Sequence, residues 1–475
     1  MSDELDGTIA EIRSGPQGAQ VAAIFDFGGT VVDGFPRQGP FRRLFRRRST
    51  EEVLLRGISN GTTDGEYGRL LNQLTEVLAG KPEADLDALG ERLFRRTVYG
   101  HLHFEAWQLI RTHQAAGHTV VLVSSLTRFQ VAPAAAELGI EHVLTTPMAV
   151  QDGILTGHPD GKTLWRNGKA ESVREFAIDH DLDLARSYAY ADSTADLPLL
   201  SLVGHPVPVN PDDQLTAVAA ERDWPTLHFS PRQGARPVDY ARTTAGFAGL
   251  LGGAFYGVAA KWPTRDHRQM ADGLLEHAAG NTLSLSGVRL RVTGTANARA
   301  PRPAVFLFNH QSQFDIIIVP EVLRGGVTGI GKKELTRNPI FGPLMRFVGV
   351  TFIDRSSTDK AKAALAPVVD TLRGGLSIAV APEGTRSYTP EVGPFKKGAF
   401  HIAIQAGVPI IPIVIRNAGE ICWRNSMVAR PGTVDVAILD PIDVSAWDPN
   451  DMDDKVAAVR QLYLDTLLNW PKPDA

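Results

Sequence analysis

The stretch Asn309-His310-Gln311-Ser312-Gln313-Phe314-Asp315 decides how the rest of the chain reads. It follows Ala304-Val305-Phe306-Leu307-Phe308, an apolar run with the length and composition of a buried strand. The spacing puts an imidazole at a strand's carboxyl end and a carboxylate five residues on, in the first turn of a helix predicted over 314–323. A carboxylate so placed can fix the ring's tautomer and raise its basicity, so that the ring takes a proton from a hydroxyl. The spacing alone does not separate a catalytic pair from a structural one, because His267 and Asp272 repeat it in a polar helical stretch. What lies downstream of His310 makes the distinction.

Three further blocks follow in order. Gly349-Val350-Thr351-Phe352-Ile353-Asp354-Arg355 reads as a strand ending in exposed charge. Ala379-Val380-Ala381-Pro382-Glu383-Gly384-Thr385-Arg386-Ser387 reads as a strand opening into a glycine-containing loop. Val408-Pro409-Ile410-Ile411-Pro412-Ile413-Val414 is a third strand, bracketed by prolines. In this order and spacing the four blocks resemble the glycerolipid acyltransferases, in particular the 1-acylglycerol-3-phosphate acyltransferases, over roughly residues 285–440. The resemblance implies an α/β acyltransferase domain in which His310 is the general base and Asp315 orients it. It implies that Arg355 pairs with the phosphate of a lysophospholipid acceptor, a group that a planar guanidinium binds bidentately. Glu383, Gly384 and Arg386 would make the second part of that acceptor site. The co-substrate would be acyl-CoA, or an acyl carrier protein, and the product phosphatidic acid. Lys396 and Lys397 read equally as donor contacts and as a solvated loop.

Composition sets outer bounds. At 475 residues the chain has room for about three domains, and its 43% hydrophobic fraction suits the burial of real cores. A net charge of −4 gives no whole-chain basic field for nucleic acid. The single cysteine, Cys422, excludes an intrachain disulfide framework and fits a reducing compartment. The acidic opening Met1-Ser2-Asp3-Glu4-Leu5-Asp6 has no apolar core, so no secretory signal is predicted.

In the N-terminal half, Val21-Ala22-Ala23-Ile24-Phe25 reads as a strand that runs into Asp26-Phe27-Gly28-Gly29-Thr30. Strand-like runs return at 119–123 and 187–191 with helical text between them, which predicts a parallel sheet covered by helices. Asp26, Ser124, Lys169, Asp192 and Asp196 stand where a haloacid dehalogenase superfamily phosphatase carries its functional groups. With Asp152-Gly153-Ile154-Leu155-Thr156-Gly157, they resemble the phosphoserine-phosphatase-like branch over about residues 20–228. The resemblance implies a Rossmann-like domain in which Asp26 is the nucleophile, Ser124 holds a phosphate oxygen and Lys169 neutralises both. It implies Mg²⁺ on Asp26, the backbone of Gly28 and Asp192, with Asp196 behind them. Collecting these groups at strand carboxyl ends is physically coherent.

One position departs from the pattern. The family usually carries a second aspartate two residues after the nucleophile, and here that position is Gly28. Loss of that acid–base group predicts turnover slowed by roughly 10²–10⁴-fold with phosphate binding retained. The rival expectation is a fully bifunctional phosphatase and acyltransferase acting on lipid phosphates. Arginine clusters at 42–48 and 92–96 fall in the cap insert, about 34–115. They read as a solvated helix face or, alternatively, as an interfacial helix on anionic lipid.

Between the two regions the composition shifts. The 17 residues 244–260 carry no charge, at the lower edge of what spans a bilayer, and Gly249, Gly253 and Gly257 recur four apart. This predicts a helix that packs on protein or dips into one leaflet, through which oligomers could form. The expected organisation is a phosphatase-like domain at 1–228, a linker with a membrane-facing helix at 229–285 and the acyltransferase at 286–475. The expected location is the cytoplasmic face of a membrane.

Overall fold

In a computed structural model the described residues are 3–33, 50–55, 62–229, 235–299, 301–353, 366–424, 426–448 and 451–471. They form two compact units, Met1–Gln233 and Gly234–Ala475. The predicted cluster at Arg42, Arg43, Arg46, Arg47 and Arg48 lies outside the described residues.

The first unit contains strands β1 (Ala22–Asp26), β2 (Thr119–Ser124), β3 (His142–Thr145), β4 (Met148–Gln151), β5 (Ile154–Pro159), β6 (Tyr188–Ala191) and β7 (His205–Pro208). Five of them make one sheet, ordered β3-β2-β1-β6-β7 and parallel throughout. Helices cover such a sheet on both faces, so its strands read as unbroken apolar runs rather than alternating ones. β1 is buried at all five positions. Two helices of the insert, α1 (Asp64–Leu78) and α2 (Glu83–Arg96), form a separate cluster with the β4–β5 hairpin around Leu74, Leu78, Leu86, Leu93 and Leu155. A reciprocal cap between Thr63 and Glu66 starts α1. Helix α3 (Asn167–Asp179) brings Lys169 to the sheet.

The second unit opens with a helical hairpin, α4 (Pro237–Lys261) and α5 (His267–Ser286). The stretch expected to be a linker is therefore folded against the second unit. Leu250, Ala254, Leu274 and Ala278 share a buried cluster with Val348. The glycine face of α4 lies on α5: a Cβ on Gly257 would stand 2.0 Å from the carbonyl oxygen of Gly273. That face is used inside the chain.

The hairpin leads into a seven-stranded sheet of β8 (Val288–Thr293), β9 (Val305–Phe308), β10 (Val327–Lys332), β11 (Thr351–Ile353), β12 (Ser377–Val380), β13 (Ile410–Arg416) and β14 (Gly432–Ile438). Its order is β11-β10-β12-β9-β13-β14-β8, parallel except between β13 and β14. Helix α6 (Asp315–Leu323) follows β9. The closing helix α7 (Met452–Leu468) packs back through Val456, Val459, Tyr463 and Leu467, and the Tyr463 hydroxyl donates to the carbonyl of Leu307 at 2.7 Å.

Candidate active sites

In the second unit β9 lies between β12 and β13. Whatever follows β12 is therefore delivered beside His310, which follows β9. Asp315 opens α6 and is fully buried. Its Oδ2 accepts from His310 Nδ1 at 2.8 Å and from the backbone amides of Gln311 and Ser312, each at 2.8 Å. Three donors and a helix N-terminus fix that carboxylate. A carboxylate only accepts, so Nδ1 carries the ring proton and Nε2 is left as the ring's acceptor. The His310 side chain is 20% exposed, enough to meet a substrate.

Glu383 plays a different part from the one expected. Its Oε1 accepts from the His310 backbone amide at 2.7 Å and its Oε2 from that of Gly393 at 2.8 Å. Burial pushes its carboxyl up to about 7, against the pull of those two amides. Glu383 thus clamps the loop that carries His310, with both carboxyl oxygens taken up by backbone amides. The same loop is pinned again where the Ser387 amide donates to the His310 carbonyl at 2.8 Å. Between these contacts Gly384 takes φ +74°, and a Cβ there would meet the Lys396 ammonium at 2.9 Å. Arg386 donates through Nη1 to the Arg424 carbonyl at 2.8 Å. Lys397 pairs with Asp453 at the surface, the solvated alternative for that residue. Arg355 lies outside the described residues.

Two further residues of this site carry no expectation from the sequence. The Asn309 amide accepts from the Ile415 amide at 2.7 Å and donates to its carbonyl at 2.8 Å, extending the β9–β13 ladder by one side chain. A polar Asn directly after a buried strand was the available signal, since such a group must find partners. Arg424 lies beyond the four blocks and gave no signal. A groove of about 1380 Å³ between α5, the end of α6 and β8 includes none of these residues.

The first unit collects its predicted residues at the carboxyl ends of β1, β2 and β6. Lys169 Nζ stands 2.7 Å from Asp26 Oδ1 and 2.6 Å from Asp196 Oδ1, all three groups buried. Burial works against the ammonium, but the two carboxylates more than offset it and hold its proton. Burial raises Asp26 to about 6 despite Lys169, and burial with the charges of Asp26 and Asp196 raises Asp192 well above the carboxylate range. Carboxylate oxygens of Asp26, Asp192 and Asp196 come within 4.8 Å of one another. Three carboxylates against one ammonium leave an excess of negative charge, and an all-oxygen donor set suits Mg²⁺. The residues present fit that cation.

Gly28 and Ser124 line the same cavity, which holds about 30 Å³, room for a water or two. Trp165 closes one side of it. Tyr67 of α1 stacks on Trp165 at 4.6 Å and donates to the Ser125 carbonyl at 3.3 Å. Asp212, another residue without an expected role, receives the Thr194 amide at 2.7 Å and its hydroxyl at 2.5 Å and so shapes the loop carrying Asp192 and Asp196.

The acyltransferase family model matches residues 289–416, and that of the haloacid dehalogenase-like hydrolases matches residues 23–201. The chain is 33% identical over 217 residues to a 1-acyl-sn-glycerol-3-phosphate acyltransferase of Cocos nucifera, covering 45% of this chain and 68% of that one. It is 34% identical over 222 residues to a probable phosphatase of Mycobacterium tuberculosis, covering 45% of this chain and 76% of that one. Among solved structures, the 1-acyl-sn-glycerophosphate acyltransferase PlsC of Thermotoga maritima aligns at 24% identity and a TM-score of 0.42, over 49% of this chain and 98% of that one.

Proposed function

Because the chain belongs to the 1-acyl-sn-glycerol-3-phosphate acyltransferase family, with a haloacid dehalogenase-like domain fused to it, we propose that it moves an acyl group from acyl-CoA to 1-acylglycerol-3-phosphate, giving phosphatidic acid. The contact between His310 Nδ1 and Asp315 Oδ2 carries this reading, because it leaves Nε2 basic on a part-exposed ring. Nε2 takes the proton of the acceptor hydroxyl as that oxygen attacks the thioester carbonyl. The C–O bond forms, the C–S bond breaks, and the leaving thiolate recovers the proton from the imidazolium, which Asp315 stabilises. Arg386, with Arg355, holds the acceptor's phosphate. Product analysis after incubation with acyl-CoA and 1-acylglycerol-3-phosphate tests the assignment.

The lipid reaches the site from a membrane surface, which we place on the cytoplasmic side. Pro237–Thr264 is a helix long and apolar enough to cross a bilayer. Its glycine face lies on α5, while Phe247, Leu251 and Phe255 recur four apart on an exposed face, Phe255 at 79% and Trp262 beyond it at 68%. One covered and one open apolar face suit a hairpin lying in one leaflet, with aromatic rings at headgroup level.

The first unit we read as a phosphate-binding domain impaired in turnover. Asp26, Lys169 and Ser124 are assembled, and Asp26, the backbone of Gly28 and Asp192, with Asp196 behind them, would hold Mg²⁺, which supplies charge neutralisation for an incoming phosphate. Gly28 brings no carboxyl to protonate the leaving oxygen. Mg²⁺-dependent phosphate release from several phosphomonoesters tests this, and robust release would favour the bifunctional alternative.

A further inference from the structure

The loop after β13 belongs to none of the four sequence blocks and lies past residue 416, where the acyltransferase family match ends. It nevertheless meets both the segment that follows His310 and the loop that carries Arg386. Ser312 Oγ donates to the Cys422 carbonyl at 2.6 Å, and Gln313 Nε2 to that of Ser426 at 3.3 Å, so the loop is fastened to the segment carrying His310. Between these two anchors Arg424 turns to the loop that carries Arg386. Each arginine donates to the other's backbone carbonyl: Arg386 Nη1 to Arg424 at 2.8 Å, and Arg424 Nη1 to Arg386. Arg424 Nη2 also reaches Thr385 Oγ1 at 3.3 Å, and its guanidinium lies 3.9 Å over the ring of Tyr388.

This pattern is costly unless it is used. Two cations are tied side by side, and among the described residues no carboxylate lies within ion-pair distance of Arg424. A guanidinium held by neutral carbonyls and a ring face keeps its charge available to an anion. The cross-tie also sets the reach of Arg386 relative to His310, since Ser387 is already bonded to the His310 carbonyl at 2.8 Å.

We propose that Arg424 is a positioning residue for the acceptor: it latches Arg386 at a fixed distance from His310 so that the phosphate of the lysophospholipid and its free hydroxyl are registered together. Lysine cannot replace it, because a single nitrogen offers neither the fork that sets Nη1 on the Arg386 carbonyl and Nη2 on Thr385 nor a planar face against Tyr388. The inference rests on the acyl-transfer reading given above.

The test compares Arg424→Lys and Arg424→Ala with the parent protein in steady-state acyl transfer, varying acceptor and donor separately. The expected result is a KM for 1-acylglycerol-3-phosphate raised on the order of 10-fold in both variants, with KM for acyl-CoA and the melting temperature unchanged. Discrimination against a monoacylglycerol, which lacks the phosphate, should narrow by the same factor. Unchanged acceptor KM and preference in either folded variant would overturn the proposal while leaving the acyl-transfer reading intact. Equal effects on donor and acceptor KM, or recovery of full affinity by lysine, would overturn it too, reducing Arg424 to a structural tie or a bare charge. An inactive parent protein would remove both readings together.

Discussion

Asp315 Oδ2 and His310 Nδ1 stand 2.8 Å apart, and the same carboxylate oxygen accepts the backbone amides of Gln311 and Ser312. Asp315 therefore both orients the imidazole and folds the turn that carries it. Asp315→Asn keeps the shape but offers Nδ1 only a neutral acceptor, and it fails to stabilise the imidazolium. The expected outcome is a kcat lowered by roughly 10²–10⁴-fold with little change in either KM, read in steady-state assays.

Glu383 gives the second unit a pH signature. Burial raises its carboxyl from 4.5 to about 7 in the folded protein. Between those values the folded state binds the proton that the unfolded state has lost. The contribution of the protonated form is thus complete below about pH 4.5 and disappears as pH rises through about 7. Glu383→Gln should flatten that part of the stability profile, by about 3 kcal/mol across the window, in chemical denaturation followed at several pH values.

The hairpin of α4 and α5 depends on glycine. A Cβ on Gly253 would lie 2.3 Å from the His277 carbonyl oxygen, a backbone atom that cannot step aside. Gly253→Val should cost about 1–3 kcal/mol and lower the melting temperature of the second unit, as overpacking does elsewhere. Gly252→Ala, where a Cβ meets nothing within 4 Å, is the matched control and should be neutral or slightly stabilising.

Gly28 is the decisive position of the first unit. Restoring a carboxyl there (Gly28→Asp) should raise Mg²⁺-dependent phosphate release by roughly 10²–10⁴-fold over the parent chain. Asp26→Asn in the restored protein should abolish the gain. Colorimetric phosphate detection measures both.

Both α/β domains were legible because their chemistry stands at strand carboxyl ends, where the chain pattern is strongest: an apolar run followed at once by a polar residue. Asp26 and Asp192 obey that rule, His310 stands one residue past it, and Asp315 opens the helix that follows. The role of Glu383 was not legible, because a clamp on His310 exists only once β12 lies beside β9, and strand order is a tertiary fact. Asp212 stayed silent for the same reason, its partner lying 18 residues away, whereas Asn309 showed a polar group after a buried strand but not the partner 106 residues on. The four-residue glycine repeat announced a close helix contact but not its partner. Nothing in the sequence of α5 marks Gly273 or His277 as the surface that receives it.

The central claim is that His310 takes the proton of a lysophospholipid hydroxyl during acyl transfer. The most direct measurement follows isotope-labelled acyl-CoA into phosphatidic acid by mass spectrometry, for the parent chain and for His310→Ala. Labelled product from the parent, reduced by at least roughly 10²-fold in the variant with unchanged folding, is the expected result. Equal product from both proteins would contradict it.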